Sequence, residues 1–175
     1  LAPKTVQYAY DTAGNRQQVI YPSGRTLDYT YDGINRLTDI DQNSASLAHF
    51  DYDVLNRRTL KSFPSTPSLE SAYSYYFDNR LEELVNRING GGVISQNQYT
   101  YDNVGNRLSH TSLAQSFTYG YNDIYELTSV SGSEAHSYLY DNVGNRTTAD
   151  GTTYTANILN QYDAVGAQAI AYDTN

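Results

Sequence analysis

The segment YAYDTAGNR, residues 8–16, decides the fold of this chain because its outline returns along the whole sequence, as YTYDNVGNR at residues 99–107 and YLYDNVGNR at residues 138–146. Residues two apart in a strand project from the same face, so each Y-x-Y pair places two rings on one face. The Asp can accept a bond from the backbone two residues on, and the Gly tolerates positive φ. Each copy therefore predicts an antiparallel hairpin with a fixed turn.

A second version of the motif is one residue shorter before its Asn, as in YTYDGINRL at residues 29–37. The residue after the second aromatic marks each copy and falls at positions 11, 32, 53, 78, 102, 122, 141, 157 and 173. These markers predict about nine degenerate hairpins in a row. The further copies are FDYDVLNR at residues 50–57, degenerate copies at 119–127 and 154–161, a contracted copy at 75–81 and an incomplete one at 172–175.

A variable turn must return the chain from each hairpin to the next Y-x-Y. Turn-forming residues lie between the copies, so strands of roughly 5 to 8 residues are expected. Because each hairpin can pair with the one before it, the pattern predicts an all-β antiparallel strip that winds into a curved or spiral sheet, a partial shell or solenoid. The turn signals are at residues 21–24, 64–67, 89–92, 131–133 and 150–151.

One segment also fits a helix. Apolar residues at positions 81, 84, 85 and 88 have helical spacing, and Asn89-Gly90 is placed as a C-cap. An isolated helix of this length is marginal, and the flanking repeats favour a strand, so a strand is expected here.

Composition supports a β-sheet built from tyrosine. The 175 residues include 19 Tyr and no Cys, Met or Trp, and the formal net charge is −8. Tyr prefers strands and buries a large ring, so it supplies apolar area that the modest Leu, Ile, Val and Phe content does not. The negative charge disfavours nucleic acid as a partner, and no apolar stretch is long enough to insert into a membrane.

The repeated motif resembles the Rhs/YD-repeat family over residues 8–175, and residues 154–173 resemble bacterial Rhs proteins in particular. The resemblance implies an antiparallel sheet that spirals into a hollow shell around a toxic C-terminal polypeptide, as well as kinship with the YD shells of teneurins. It also implies a secreted, extracellular or cell-surface protein. No counterpart of the family's self-cleavage motif is present, so self-proteolysis is assigned to no residue.

The candidate site residues are structural members of the repeat, and no catalytic residue, metal ligand or cofactor is predicted. The three His residues stand in no ligand motif, and residues 39–50 lack the Gly and Glu of a calcium loop. Asn145-Arg146-Thr147 fits a glycosylation acceptor by chance. The repeat residues are Tyr8, Tyr10, Asp11, Gly14, Arg16, Tyr29, Tyr31, Asp32, Arg36, Tyr52, Asp53, Arg57, Tyr99, Tyr101, Asp102, Gly105, Arg107, Tyr119, Tyr121, Tyr138, Tyr140, Asp141, Gly144 and Arg146.

We therefore expect residues 1–175 to form a single YD-repeat module, a fragment of a longer protein, with a non-enzymatic shell or scaffold role. Its partners would be the rest of a larger shell, or other copies joined through open sheet edges into filaments. The alternative is an adhesion module that binds carbohydrate or protein on the Tyr-rich face. In either case the stacked rings are expected to form a continuous wall.

Overall fold

The structure is a computed structural model that describes residues 4–64, 67–88 and 91–172. Regular secondary structure in these ranges is entirely β-strand, and they contain no helix of the length and apolarity needed to cross a membrane. The all-β prediction is confirmed. The strands are β1 Gln7–Tyr10, β2 Arg16–Ile20, β3 Thr26–Tyr31, β4 Leu37–Gln42, β5 Ala45–Tyr52, β6 Arg58–Phe63, β7 Leu69–Tyr75, β8 Leu81–Ile88, β9 Val93–Tyr101, β10 Arg107–Ser112, β11 Ser116–Tyr121, β12 Leu127–Gly132, β13 His136–Tyr140, β14 Arg146–Ala149, β15 Thr152–Ala156, β16 Tyr162–Val165 and β17 Gln168–Ala169.

The chain divides into two compact units, residues 1–97 and 98–175. In the first unit, β1 to β8 pair in sequence order, each antiparallel to the next. In the second unit, β10 to β17 pair in the same way. The expected order of hairpins is confirmed. The competing helix is replaced by β8, and the C-cap proposed at 89–90 lies outside the described residues.

A bulge recurs at the same place in the fixed hairpins. Tyr10 pairs with Arg16 while Ala9 pairs with Gln18, so the return strand has one extra residue. Equivalent register shifts precede the residues at positions 31, 52, 75, 121, 140 and 156. Val19 pairs with Tyr8 and shares its face. Without the extra residue, Arg16 would face away from Val19; with it, both side chains lie on the face that carries the Y-x-Y rings, called here the tyrosine face.

The best-buried side chains lie on the tyrosine face of the first unit. Val19 and Ala48 are each 3% exposed, and Leu27 and Phe50 are 8% and 9% exposed. In residues 98–172, which are all described, no side chain is buried to this extent. Most of the tyrosines are half-buried, so their rings do not form a closed core, and the continuous wall of stacked rings stays a prediction.

The variable turns differ in length and include one that the sequence did not signal. Asn43 and Ser44, with φ of 49° and 67°, form a two-residue turn between β4 and β5. Gly132, the last residue of β12 before the variable turn to β13, has a φ of 121°, and a Cβ there would lie 2.0 Å from the backbone oxygen of Ser116. Only glycine can therefore close β11 against β12 at this point. The turns expected at 64–67 and 89–92 lie partly outside the described residues.

Candidate functional site

The fixed turns share one backbone geometry. We number the turn positions from Asp11, position 1, to Asn15, position 5, with Arg16 as position 6. The amide of Asp11 donates to the carbonyl oxygen of Asn15 at 2.9 Å, and the amide of Gly14 donates to the carbonyl oxygen of Asp11 at 3.1 Å. The same two bonds recur in the turns that begin at residues 32, 53, 76, 102, 122, 141 and 157.

The two versions of the motif therefore form turns of the same length, although the Asn-Arg pair comes one residue earlier in the second version. Gly14 aligns with Asn35, not with the residue before it, because both occupy position 4 with positive φ, 87° and 65°. Gly reaches this left-handed region freely, and Asn tolerates it better than other side chains. The shift moves the following Arg from position 6, as in Arg16, to position 5, as in Arg36.

In every fixed turn named above except the one that begins at Tyr76, a side-chain clamp joins positions 1 and 5. Asp11 Oδ1 accepts the amides of Ala13 and Asn15 at 2.9 and 2.7 Å, and its Oδ2 accepts Asn15 Nδ2 at 2.9 Å. In the second version the guanidinium takes over the last bond, because Arg36 Nε donates to Asp32 Oδ2 at 2.6 Å. Asn and Arg at position 5 therefore both donate a hydrogen bond to the carboxylate of position 1.

The clamp also forms when its donor and acceptor side chains exchange positions. In the sixth hairpin Asn122 occupies position 1, and its Nδ2 donates to Glu126 Oε2 at 2.6 Å. Asn122 Oδ1 still accepts the amides of Ile124 and Glu126, at 3.2 and 2.9 Å. The carboxylate has moved from position 1 to position 5, and the amide has moved the other way. In this degenerate copy the carboxylate and the amide have therefore exchanged positions, and the hydrogen bond between them is kept.

The fourth hairpin corrects another expectation. The copy taken as contracted, with its marker at Asp78, has the ordinary length, because the amide of Tyr76 donates to the carbonyl oxygen of Arg80 at 2.9 Å. Tyr76 therefore occupies position 1, and Tyr73 and Tyr75 are the Y-x-Y pair. Asp78 sits at position 3 and forms an ion pair with Arg80 at position 5.

The clamps at Asp11 and Asp32 lower the pKa of these two carboxylates. The pKa of Asp11 lies below its ordinary value because of the hydrogen bond from the Asn15 side chain, against a smaller opposing effect of desolvation. The pKa of Asp32 is lowered first by the backbone amide of Arg36 and then by its guanidinium, again against desolvation. Each of these two clamps therefore stabilises its hairpin above the unfolded-state pKa of about 4, and the stabilisation is lost as pH falls through the lowered folded pKa.

Side chains at position 5 also reach the next hairpin. Asn15 Nδ2 donates to Asn35 Oδ1 at 2.8 Å, and Arg36 Nη1 donates to Asn56 Oδ1 at 3.0 Å. The link recurs from Arg57 to Asn79 at 3.1 Å and from Asn145 to Asn160 at 3.2 Å. The acceptor in every one of these links is an Asn at position 4. That Asn therefore serves both the local turn and the contact between turns.

The hydroxyl of the second tyrosine in the Y-x-Y pair bonds to the hairpin before it. Tyr31 Oη donates to the carbonyl oxygen of Arg16 at 3.1 Å, and Tyr52 Oη donates to that of Leu37 at 3.0 Å. Both acceptors are position 6 of the preceding hairpin. The same bond is made by Tyr75, Tyr121, Tyr140 and Tyr172, to the carbonyl oxygens of Arg58, Arg107, Leu127 and Tyr162.

Guanidinium groups lie over the rings on the tyrosine face. The Cζ of Arg16 is 4.4 Å from the ring centroid of Tyr29, and that of Arg36 is 4.8 Å from Tyr52. Arg36 thus contacts both the Asp32 carboxylate and a tyrosine ring. The other pairs are Arg57 with Tyr75, Arg107 with Tyr99 and Tyr119, and Arg146 with Tyr138 and Tyr154.

Sequence reasoning missed a row of exposed apolar side chains at the turn tips. Position 3 carries Ile34, Val104, Ile124 and Val143, which are 60–69% exposed. In the fourth hairpin Phe77 at position 2 is 98% exposed. The turn conformation does not require apolar side chains here, and the repetition at one position of the motif was the signal that could have revealed the row.

The remaining chemistry candidates do not form a catalytic or metal centre. Among the described residues, no group of three His, Asp or Glu side chains is arranged to hold a metal ion. Asp39 and Asp41, considered for a calcium loop, lie within β4. His49 Nδ1 lies 2.7 Å from Asp39 Oδ1, and its Nε2 lies 3.2 Å from Asp51 Oδ1, so this histidine bridges two carboxylates. The Asn145 side chain belongs to a clamp and a link between turns.

Comparisons with known proteins agree with the geometry. The sequence model of the family described as RHS Repeat matches residues 10–43. Among solved structures, the Photorhabdus luminescens Tc holotoxin pore matches with a TM-score of 0.70 and 19% identity, over 87% of this chain. TcdB2-TccC3 matches with a TM-score of 0.72 and 18% identity, over 93% of this chain. This chain covers only 10% of either matched chain. A comparison with curated protein sequences finds no match.

Proposed function

Because the chain has RHS-repeat sequence at residues 10–43 and the fold of much longer Tc toxin chains, we propose that it is a non-enzymatic structural module, one stretch of a larger shell or scaffold. The resemblance to the Rhs/YD-repeat family supplies the role, namely a wall that encloses a toxic polypeptide. The setting that fits this role is extracellular, in a secreted or cell-surface protein. Residues 1–175 would act as a single module within it.

The observation that carries the proposal is the directional bonding between hairpins. Strand β3 shows this bonding in full, because the hairpin before it supplies its backbone partner β2, the carbonyl acceptor for the Tyr31 hydroxyl and the Arg16 guanidinium over the Tyr29 ring. Such a unit is stabilised by its neighbours, as in other repeat architectures. The scarcity of buried side chains in residues 98–172 supports the same role, because a module within a shell has further protein to pack against.

Within the part of the chain that the structure describes, no convergent set of reacting groups competes with this role. The carboxylates at position 1 are committed to the turn amides and to position 5, as for Asp53, whose Oδ2 accepts Arg57 Nε at 2.7 Å. A shallow cavity of about 320 Å³ near Phe63 and Ile94 has one ion pair, Arg87 with Glu70, among its lining side chains. Paired charges of this kind fit a structural role.

The adhesion alternative has weaker support. A sugar platform needs free ring faces and free hydroxyls, whereas the tyrosine hydroxyls named above are bonded to carbonyl oxygens and several rings lie under guanidinium groups. A glycan array probed with the folded chain tests this alternative. Binding that Tyr52→Phe and Tyr121→Phe abolish would revive it.

The scaffold proposal predicts association through open sheet edges, with the rest of a shell or with other copies in a filament. Because the amide of Asp11 donates within its own hairpin, the alternation of strand bonding directs the backbone of Tyr8 and Tyr10 outward, away from β2. Light scattering and negative-stain microscopy across a wide concentration range should therefore detect end-joined species. Tyr8→Pro, which removes an outward amide, should suppress them, whereas Tyr8→Phe should not. A folded chain that stays monomeric throughout would overturn this proposal.

A further inference from the structure

The edge of β1 is the one Tyr-bearing edge of the first unit without a described hairpin before it. Tyr8 and Tyr10 are 56% and 60% exposed, whereas their counterparts Tyr29 and Tyr31 are half-buried. The difference follows from position, because Tyr29 and Tyr31 are covered by the return strand of the preceding hairpin. The internal hairpins therefore define what covers an edge of this kind.

We propose that the β1 edge is a docking site for the return strand of another Y-x-Y-D hairpin, the strand that begins at its position 6. This inference rests on the proposed function and names the partner that the function requires. The occupant is identified by what lies against the same surface elsewhere in the chain. For β3, that occupant is β2, which pairs with Thr26, Leu27 and Asp28 and supplies the carbonyl acceptor for the Tyr31 hydroxyl.

The geometry fixes the register of the incoming strand. The hydroxyls of Tyr31, Tyr52 and Tyr75 all donate to the carbonyl oxygen of position 6 in the preceding hairpin, at 2.9–3.1 Å. The same rule places the position 6 carbonyl of the docked strand against Tyr10 Oη. A slip by one residue would turn the side chains of the docked strand to the opposite face, so the register is strongly specified.

The side chains of the partner are specified as well. Arg16 at position 6 lies over the first ring of the next hairpin, 4.4 Å from Tyr29, and Arg107 and Arg146 at the same position lie 6.0 Å from Tyr119 and Tyr154. The best partner therefore carries Arg at position 6, where its guanidinium would cover Tyr8. Position 4 of the accepting hairpin is Gly14, which has no side chain, so position 5 of the partner is free to be Asn, Arg or Glu.

The test joins such a hairpin to the whole chain. A copy of residues 138–149, which pair as β13 and β14 and carry Arg146 at position 6, is fused to the N-terminus through a flexible Gly/Ser linker, which gives a high effective concentration. Amide hydrogen exchange should slow at Tyr8 and the residues before it, the counterparts of the β3 residues that pair with β2, relative to a chain carrying the linker alone. Tyr10→Phe, which removes only the hydroxyl, should weaken this protection about two- to ten-fold, the loss expected for one hydrogen bond.

Two results would overturn the inference: no added protection in β1, or equal protection with and without the Tyr10 hydroxyl. Self-association of the chain without the fused hairpin is measured in parallel. If that chain forms end-joined species but the fusion leaves β1 unprotected, the docking rule fails and the scaffold role stands. If neither occurs, both fail. Replacing Arg146 by Gln in the fused copy alone should reduce protection, and an unchanged result would refute the specified side chain.

Discussion

Removal of a single phenolic oxygen tests whether the hydroxyl bonds stabilise the chain. In Tyr52→Phe the ring remains, and only the 3.0 Å bond to the carbonyl oxygen of Leu37 is lost. A hydrogen bond of this kind contributes about 0.5–1.5 kcal/mol net, and the partly exposed carbonyl can recover water, so the expected loss is about 1 kcal/mol. Because unfolding entropy scales with chain length, that loss lowers Tm by about 3 °C.

Tyr10→Phe is the matched control, because Tyr10 is 60% exposed and has no hairpin before it among the described residues. Its expected cost is close to zero. Urea denaturation followed by circular dichroism gives the free energy of unfolding of both variants. Equal costs would refute the reasoning, since the hydroxyl of Tyr52 would then contribute no more than an exposed one.

Additivity extends the same test. Hydroxyls of the second tyrosines in successive hairpins are two strands apart, about 10 Å, where substitutions without shared partners usually add. Replacing Tyr31, Tyr52 and Tyr75 by Phe together should therefore cost about 1.5–4.5 kcal/mol. A triple variant that loses no more than one single variant would show that the bonds do not act independently.

Three further predictions concern the turns and the bridging histidine. Asn56→Ala should cost about 1–2 kcal/mol in urea denaturation because position 4 has positive φ, whereas Asn56→Gly should cost less, and equal losses would contradict a conformational origin. Asn122→Asp should destabilise the chain by facing the Glu126 carboxylate, and adding Glu126→Asn should restore the clamp; a double-mutant cycle without coupling would refute the exchange. The pKa of His49 is raised, and the hydrogen bond with Asp39 is the largest cause. The stability that protonated His49 contributes is therefore present below its unfolded pKa of about 6.5 and is lost as pH rises through the raised folded pKa. Tm should therefore fall between about pH 6 and pH 8, and a slope unchanged in His49→Gln would exclude this cause.

Much of this fold could be predicted from the sequence because it depends on interactions between residues close together in the chain. The Y-x-Y spacing predicted paired rings on one strand face, and the Asp with its following Gly predicted a chain reversal, because both depend on residues at most four apart. Strand β8 was also predicted correctly, although its apolar spacing fits a helix, because its neighbours in the repeat required a strand. These features are set by the covalent chain and short-range sterics.

Alignment of the repeats needed the backbone. Gly14 and Asn35 are different residue types that share a positive φ, so the sequence did not indicate that both versions of the motif form a turn of the same length. Tyr76 was not recognisable as position 1, because the backbone bonds of a turn do not depend on that side chain. The exchange at Asn122 and Glu126 was hidden for a related reason, since a clamp needs one donor and one acceptor in either order.

Ring spacing and turn residues act within a single hairpin, so the order of residues is enough to specify an all-β chain of Tyr-rich hairpins. How one hairpin recognises the next depends instead on which groups the folded chain brings together. The carbonyl that accepts the hydroxyl of Tyr52 belongs to Leu37, 15 residues away, and any residue type offers the same backbone oxygen. A bond to a backbone oxygen does not depend on the type of residue that carries it, so this bond could not be predicted from the sequence.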